Sequence, residues 1–114
     1  MILFRPVGKV ELDLIKKSDY KKFPPRLSYQ PIFYPVLNEL YASEIAEKWN
    51  KNDAVESKNI GYVTKFEIDD DYISNYEVHQ VGDIYHLEYW IPSEELEEFN
   101  NHIIGRIEII KCFK

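Results

Sequence analysis

Arg5 lies in the middle of an apolar stretch at the start of this 114-residue chain. A guanidinium on the floor of a cleft has the shape and charge to bind a phosphate or a carboxylate. The alternative is an edge strand whose arginine points into solvent. The stretch at residues 2–7 is therefore either the first wall of a binding site or an ordinary edge strand.

A second apolar stretch, residues 84–91, brings three functional side chains together. An alternation of two places His86, Glu88 and Trp90 on one face of the predicted strand. A buried carboxylate without a partner is strongly unfavourable, so Glu88 must be solvated, paired or used. Beside an imidazole and an aromatic ring, this carboxylate is suited to binding a sugar or stabilising a developing cation. The alternative is a two-sided strand with one solvated face.

The elements that must position these residues follow from the spacing of the apolar residues. We predict strands at 2–7, 32–34, 61–68, 76–81, 84–91 and 103–113, helices at 11–19, 38–50 and from 92 onwards, and a turn or single helical turn at 69–73. Asn38 caps the second helix, in which Tyr41, Ile45 and Trp49 recur every four residues as an amphipathic stripe. The order predicts an α+β fold with strands clustered in the second half.

Composition and charge restrict the class of protein. A length of 114 residues predicts a single domain, 1–114. Fourteen Lys and Arg against 20 Asp and Glu give a net charge of −6, which argues against general nucleic-acid binding. No apolar run approaches the roughly 20 residues of a membrane span. The single cysteine, Cys112, cannot form an internal disulfide and fits a reducing compartment, so we expect a cytoplasmic protein.

No metal site is predicted. His79, His86 and His102 lack the spacing of zinc ligands, and the acidic run at 69–71 lacks that of a calcium loop. Phosphate-binding glycine motifs are absent as well. Arg26 lies among prolines and aromatic residues, which suits either a ligand-facing loop or plain surface.

Four motifs carry a resemblance to a known family. They are Leu-Phe-Arg-Pro-Val-Gly at 3–8, Phe-Pro-Pro-Arg-Leu at 23–27, Gln-Pro-Ile-Phe-Tyr-Pro-Val-Leu-Asn-Glu at 30–39 and Glu-Tyr-Trp-Ile-Pro at 88–92. Together they resemble small bacterial proteins of the "ADP-ribosylation/crystallin" type over nearly the whole chain. The label evokes the ADP-ribosylglycohydrolases, but the chain lacks their length and Asp-rich motifs, so that activity is not expected.

The order of elements also resembles a minimal ADP-ribosyltransferase fold. In that superfamily the catalytic Glu lies in a late strand as Gln/Glu-x-Glu, often with a proline four residues later. Here His86-Leu87-Glu88 precedes Pro92 with the same spacing, and Arg5 matches the arginine of the first strand. No Ser-Thr-Ser motif is present, and Tyr34 is the candidate for its position. The resemblance implies a compact ADP-ribosyltransferase-like fold, mostly antiparallel strands with two or three helices.

The resemblance further implies NAD as a substrate, bound as NAD or ADP-ribose. Glu88 would be catalytic and stabilise the oxocarbenium ion formed when the nicotinamide–ribose bond breaks. His86, also assigned as catalytic, would orient the ribose or the acceptor. Arg5 would bind the pyrophosphate, and Tyr34 or Trp90 would stack on the nicotinamide. The activity would be ADP-ribosyl transfer or NAD hydrolysis.

The alternative is a non-catalytic interaction protein. It would be an immunity-type or regulatory partner, or an ADP-ribose-binding module on a degenerate transferase scaffold. The 15% of aromatic residues suits a protein partner, because aromatic side chains anchor interfaces. A domain whose partner the sequence does not name is a third outcome. The enzyme hypothesis requires Arg5, Tyr34, His86 and Glu88 to converge on one concave site, and it fails if Arg5 and Glu88 face opposite sides of the sheet.

Overall fold

The fold is built on a three-stranded antiparallel sheet. The computed structural model describes residues 1–114. Its strands are β1 (Ile2–Gly8), β2 (Ile32–Phe33), β3 (Gly61–Ile68), β4 (Val78–Gln80), β5 (Leu87–Tyr89), β6 (Ile91–Pro92) and β7 (Ile103–Phe113). β3 lies between β1 and β7 and is antiparallel to both. β2 pairs with β6, and β4 pairs with β5.

Four short α-helices accompany the strands, so the α+β class with antiparallel sheets is confirmed. They are α1 (Lys9–Lys17), α2 (Glu39–Ile45), α3 (Asp70–Ile73) and α4 (Leu96–Asn101). The expected two or three helices is an underestimate. α3 forms because the Asp69 carboxylate caps it by accepting the Tyr72 N–H at 3.0 Å. None of the helices combines the length and apolarity needed to cross a bilayer.

Val36 lies between β1 and β5 and forms an isolated antiparallel bridge with each of them. Its N–H donates to the Phe4 carbonyl at 2.8 Å, and its carbonyl accepts the Phe4 N–H at 2.9 Å. On its other side Val36 forms a bridge with Glu88. Phe4, Val36 and Glu88 therefore lie in one lateral row and project from the same face.

Pro6 ends this pairing and opens the sheet. The next hydrogen-bonded partner of the segment before Val36 would be Pro6, which has no N–H to donate. Beyond that point Ile32 and Phe33 leave β1 and pair with β6. A cleft therefore opens between the second half of β1 and the chain that leads to Val36.

Two apolar cores lie on opposite faces of the sheet. The larger core contains Leu3 and Val7 of β1 and several aromatic rings, including Phe23, Phe33, Phe66 and Phe99. The smaller core lies under α2 and is formed by Val36, Tyr41, Ala42, Ala46 and Val63, with Phe4 packed against it. The alternation along β1 thus assigns odd-numbered residues to one core and Phe4 to the other.

A π-helical turn at Ala46–Asn50 follows α2, where the sequence predicts an uninterrupted helix. The Lys51 N–H reaches back five residues to the Ala46 carbonyl at 3.0 Å. The wider turn rotates Trp49 out of the predicted apolar stripe and leaves it 71% exposed. Gly61 makes the turn possible, because a Cβ at this position would lie 2.2 Å from the Ala46 carbonyl oxygen.

The predicted hairpin at 76–91 exists but is shorter than expected. Only Val78–Gln80 and Leu87–Tyr89 are paired, and residues 81–86 form the connection between them. The Asp83 carboxylate accepts the Ile84 N–H, and the Asp83 carbonyl accepts the His86 N–H. These bonds stabilise a turn in place of strand pairing, so the regular strand predicted for 84–91 begins only at residue 87.

Candidate functional site

A cleft of about 580 Å³ lies where β1 separates from the chain before Val36. Among its lining residues are four that the sequence analysis selected, Arg5, Tyr34, Glu88 and Trp90. The volume falls within the range of roughly 300–1,000 Å³ that is usual for small-molecule sites. His86, the fifth selected residue, does not line this cleft.

Arg5 and Glu88 reach the cleft from opposite faces of the sheet. Glu88 shares a lateral row with Phe4, so Arg5, the next residue of β1, projects to the other face. The two side chains line one cavity because the pairing between them stops at Val36. Their convergence therefore depends on the gap in the sheet and not on a shared face. The requirement of the enzyme hypothesis is thus not met as predicted, because Arg5 and Glu88 face opposite sides of the sheet and His86 lies outside the cavity that they line.

The Arg5 guanidinium is buried and paired. It is only 7% exposed, and its Nε and Nη2 donate to the two carboxylate oxygens of Glu11 at 2.7 and 2.9 Å. The guanidinium also lies over the Phe33 ring, 4.5 Å from its centroid. Glu11 comes from the first turn of α1, where a carboxylate is further favoured by the helix dipole.

Arg26 brings a second guanidinium into the same wall. Its Nε donates to the Ile32 carbonyl at 3.2 Å, and its Nη1 lies 4.0 Å from the Glu11 carboxylate. Burial, followed by repulsion from Arg5, lowers the pKa of Arg26 below its ordinary value. One carboxylate thus faces two guanidinium groups, which leaves an excess of positive charge in this part of the cleft.

Glu88 is held by two donors. The carboxylate is 8% exposed, and its Oε2 accepts the Tyr41 hydroxyl at 3.1 Å. Its Oε1 accepts the Trp90 indole N–H at 2.8 Å. Both partners are donors at neutral pH, so the carboxylate accepts one hydrogen bond on each oxygen and has a fixed orientation.

Two aromatic side chains border the cleft and remain accessible. Tyr34 is 40% and Trp90 is 42% exposed. The imidazole of His79 lies parallel to the Trp90 indole, with the ring centroids 3.7 Å apart. One face of Trp90 is therefore covered, and only its other face is free to stack on a ligand.

His86 packs against α2, next to the cleft but outside it. Its ring stacks on Tyr41 with the centroids 4.3 Å apart, and its Nε2 lies 3.2 Å from the Glu44 carboxylate. The Tyr85 hydroxyl donates to the same carboxylate. His86 and Glu88 therefore both contact Tyr41, as neighbours on one face would, but His86 does not reach the cleft.

The sequence analysis did not identify four partners of the selected residues, namely Glu11, Tyr41, Glu44 and His79. The signal for Glu11 was present, because a buried arginine requires a carboxylate and Glu11 opens the helix directly after β1. Tyr41 and Glu44 come from α2, which is distant in sequence from His86 and Glu88, so only the folded chain brings them together. His79 comes from β4, the neighbouring strand of the predicted hairpin. No group of three or more His, Cys, Asp or Glu side chains is arranged to hold a metal ion.

Comparisons of the chain with protein-family models, with curated proteins and with solved structures find no match. The cleft combines one wall that carries two guanidinium groups, the further carboxylates of Asp53 and Glu56, the oriented Glu88 carboxylate and two accessible aromatic side chains.

Proposed function

We propose that the chain is a minimal ADP-ribosyltransferase-like domain that binds NAD or ADP-ribose in the cleft where β1 separates from the chain before Val36. The observation that carries the proposal is the convergence of Arg5, Tyr34, Glu88 and Trp90 on one cavity. These are four of the five residues selected for this function from the sequence alone. Arg5 and Tyr34 come from the first third of the chain, and Glu88 and Trp90 come from the last third.

The two guanidinium groups on one wall of the cleft support a ligand with a diphosphate. Arg5 and Arg26 share a single carboxylate, that of Glu11, so a bound anion would complete the neutralisation of this wall. Arg26 is the better candidate for direct contact, because both oxygens of Glu11 are already bonded to Arg5. Tyr34 and the free face of Trp90 would accept the planar rings of the ligand.

The proposed reaction is cleavage of the nicotinamide–ribose bond. Nicotinamide leaves with the electron pair of that bond, and positive charge develops on the ribose as an oxocarbenium ion. The Glu88 carboxylate stabilises this charge, and water or an acceptor nucleophile attacks the anomeric carbon and loses a proton to solvent. Because Glu88 is oriented by Tyr41 and Trp90, little reorganisation of the carboxylate is needed.

Calorimetric titration of ADP-ribose and NAD into the wild type and Arg26→Gln tests the binding. We expect the variant to lose about tenfold or more in affinity for both ligands, because the excess positive charge is removed. Arg106→Gln is the matched control, since Arg106 is paired with Asp19 on the surface and lies outside the cleft. Equal affinities in the wild type and Arg26→Gln, or no binding of either ligand, would contradict the proposal.

Release of nicotinamide from NAD tests the chemistry. We expect Glu88→Gln to lower turnover by at least about a hundredfold, because the neutral amide cannot stabilise the cation. Glu108→Gln, on the exposed part of β7, is the matched control. Turnover that is unchanged in Glu88→Gln would show that this carboxylate is not catalytic.

A second candidate is an ADP-ribose-binding module without catalysis. It is favoured by one specific observation: both oxygens of Glu88 already accept hydrogen bonds from the protein. A carboxylate occupied in this way has less capacity to grip a ribose hydroxyl. Binding of ADP-ribose that depends on Arg26, without release of nicotinamide from NAD, would identify this second function.

A further inference from the structure

We infer that His86 is a positioning residue whose protonated ring, acting through Tyr41, holds the Glu88 carboxylate in the orientation that the cleft requires. The structural part of this inference concerns only the chain itself. Its consequence for ligand binding rests on the function proposed above. It assigns to His86 a role different from direct contact with the ribose or the acceptor.

Both nitrogens of the His86 ring face acceptors. Nδ1 lies 3.1 Å from the Val81 carbonyl oxygen, which can only accept a hydrogen bond. Nε2 lies 3.2 Å from a carboxylate oxygen of Glu44. Only the imidazolium form has an N–H on both nitrogens, so only this form satisfies both contacts. A neutral ring would turn a lone pair towards one of the two acceptors.

The ring is coupled to Glu88 through Tyr41. His86 and Tyr41 stack with an interplanar angle of 13°, and the Tyr41 hydroxyl donates to Glu88. A cation on the face of a tyrosine is attracted by the ring, so protonation strengthens the stack. Burial, and then the Glu88 charge, raise the pKa of Tyr41 to about 12, so its hydroxyl remains a donor throughout the neutral range.

The charged groups that face the His86 ring come from α2 and from the connection that precedes the ring. Glu44 faces it from α2, and its pKa is lowered chiefly by the Tyr85 hydroxyl and then by His86. Lys48 lies near Glu44, and Asp83 lies in the connection before His86. Glu88 is reached through Tyr41. Among these residue types, histidine is the one whose ordinary charge change falls between about pH 5 and pH 8.

The indole N–H of Trp90 reports the position of Glu88, because it donates to that carboxylate at 2.8 Å. Its resonance is followed by ¹⁵N NMR from about pH 5 to pH 8, the range in which histidines titrate. The measurement is made in His79→Gln, since His79 stacks directly on Trp90 and would add its own titration. Trp49, which is largely exposed, supplies the reference resonance.

We expect the Trp90 resonance to titrate in His79→Gln and to lose this response when Tyr41→Phe is added. Phenylalanine keeps the stack on His86 but removes the hydroxyl that holds Glu88. His86→Gln should abolish the response as well. His102→Gln is the matched control and should preserve it, because His102 stacks on Tyr72 in the other core. A Trp90 resonance that does not titrate, or that still titrates with Tyr41→Phe, would overturn the inference.

ADP-ribose binding measured in the same variants separates this inference from the proposed function. In His79→Gln we expect the affinity for ADP-ribose to fall about tenfold as pH rises through the same range, a change equivalent to about one hydrogen bond. When Tyr41→Phe is added, the affinity should be independent of pH. A titrating Trp90 resonance without any ADP-ribose binding would support the positioning role and contradict the proposed function. A pH-independent affinity in His79→Gln beside a titrating Trp90 resonance would overturn the coupling of His86 to the site.

Discussion

Replacing Glu11 by Gln removes the anionic partner of the buried Arg5 guanidinium. The two side chains are 8% and 19% exposed, so solvent screens the pair only weakly. Gln keeps one acceptor oxygen and places an amide N–H against the other guanidinium N–H. A hydrogen bond to a charged group contributes about 1.5–3 kcal/mol, and breaking a buried ion pair costs about 3–5 kcal/mol. We therefore expect the free energy of unfolding to fall by about 3 kcal/mol.

Guanidinium and thermal denaturation measure this change. For a chain of 114 residues, a loss of about 3 kcal/mol corresponds to a Tm lower by roughly 10 °C. Asp13→Asn is the control in the same helix: it removes the Lys9–Asp13 pair, whose side chains are 35% and 48% exposed, and should lower the Tm far less than Glu11→Gln does because solvent screens this pair. If Glu11→Gln were as stable as Asp13→Asn, the account of Arg5 as a buried charge dependent on Glu11 would be refuted.

Two further predictions concern the smaller core. Gly61→Ala places a Cβ 2.2 Å from the backbone oxygen of Ala46, so we expect a loss of more than about 2 kcal/mol in stability, and an unchanged Tm would contradict the close approach. Hydrogen bonding to Glu44 and burial raise the pKa of Tyr85 from its ordinary value of 10.0 to about 12. Burial and the Glu88 charge raise the pKa of Tyr41 to about the same value. The native state then binds more protons than the unfolded state between these values, so the free energy of unfolding should fall as pH rises from 10 towards about 12. Denaturation at stepped pH checks this, and Tyr41→Phe and Tyr85→Phe should each flatten the dependence.

Local signals account for much of what the sequence predicted correctly. The alternation at 61–68 is satisfied within β3 itself, and the Asn38 carboxamide caps α2 by accepting the Tyr41 N–H at 2.8 Å. Leu12 and Ile15 are buried in α1 as their spacing indicates. Such features depend on residues close in sequence, and neither their backbone geometry nor their apolar face requires knowledge of a distant partner.

The departures occur where a distant residue overrides a local preference. The π-helical turn at Ala46–Asn50 depends on Gly61 of β3, which accommodates the displaced carbonyl of Ala46. The spacing of the apolar residues gives no sign of that contact, so it predicts Trp49 on the apolar face, where the structure has it exposed. The hairpin at 76–91 is likewise shortened because the Asp83 side chain and carbonyl compete for the backbone of the second strand.

The sequence by itself determined the α+β class, most elements, and the residue types able to bind phosphate and stabilise a cation. Tertiary structure alone decided how these residues meet. Alternation within a strand cannot indicate that Arg5 and Glu88, which project from opposite faces, line one cleft. That outcome depends on Pro6, whose missing N–H stops the pairing beyond Val36 and lets the chain diverge. It also depends on α1, which supplies Glu11 as the ion-pair partner of Arg5, and on α2, which supplies the Tyr41 hydroxyl as one of the two donors to Glu88.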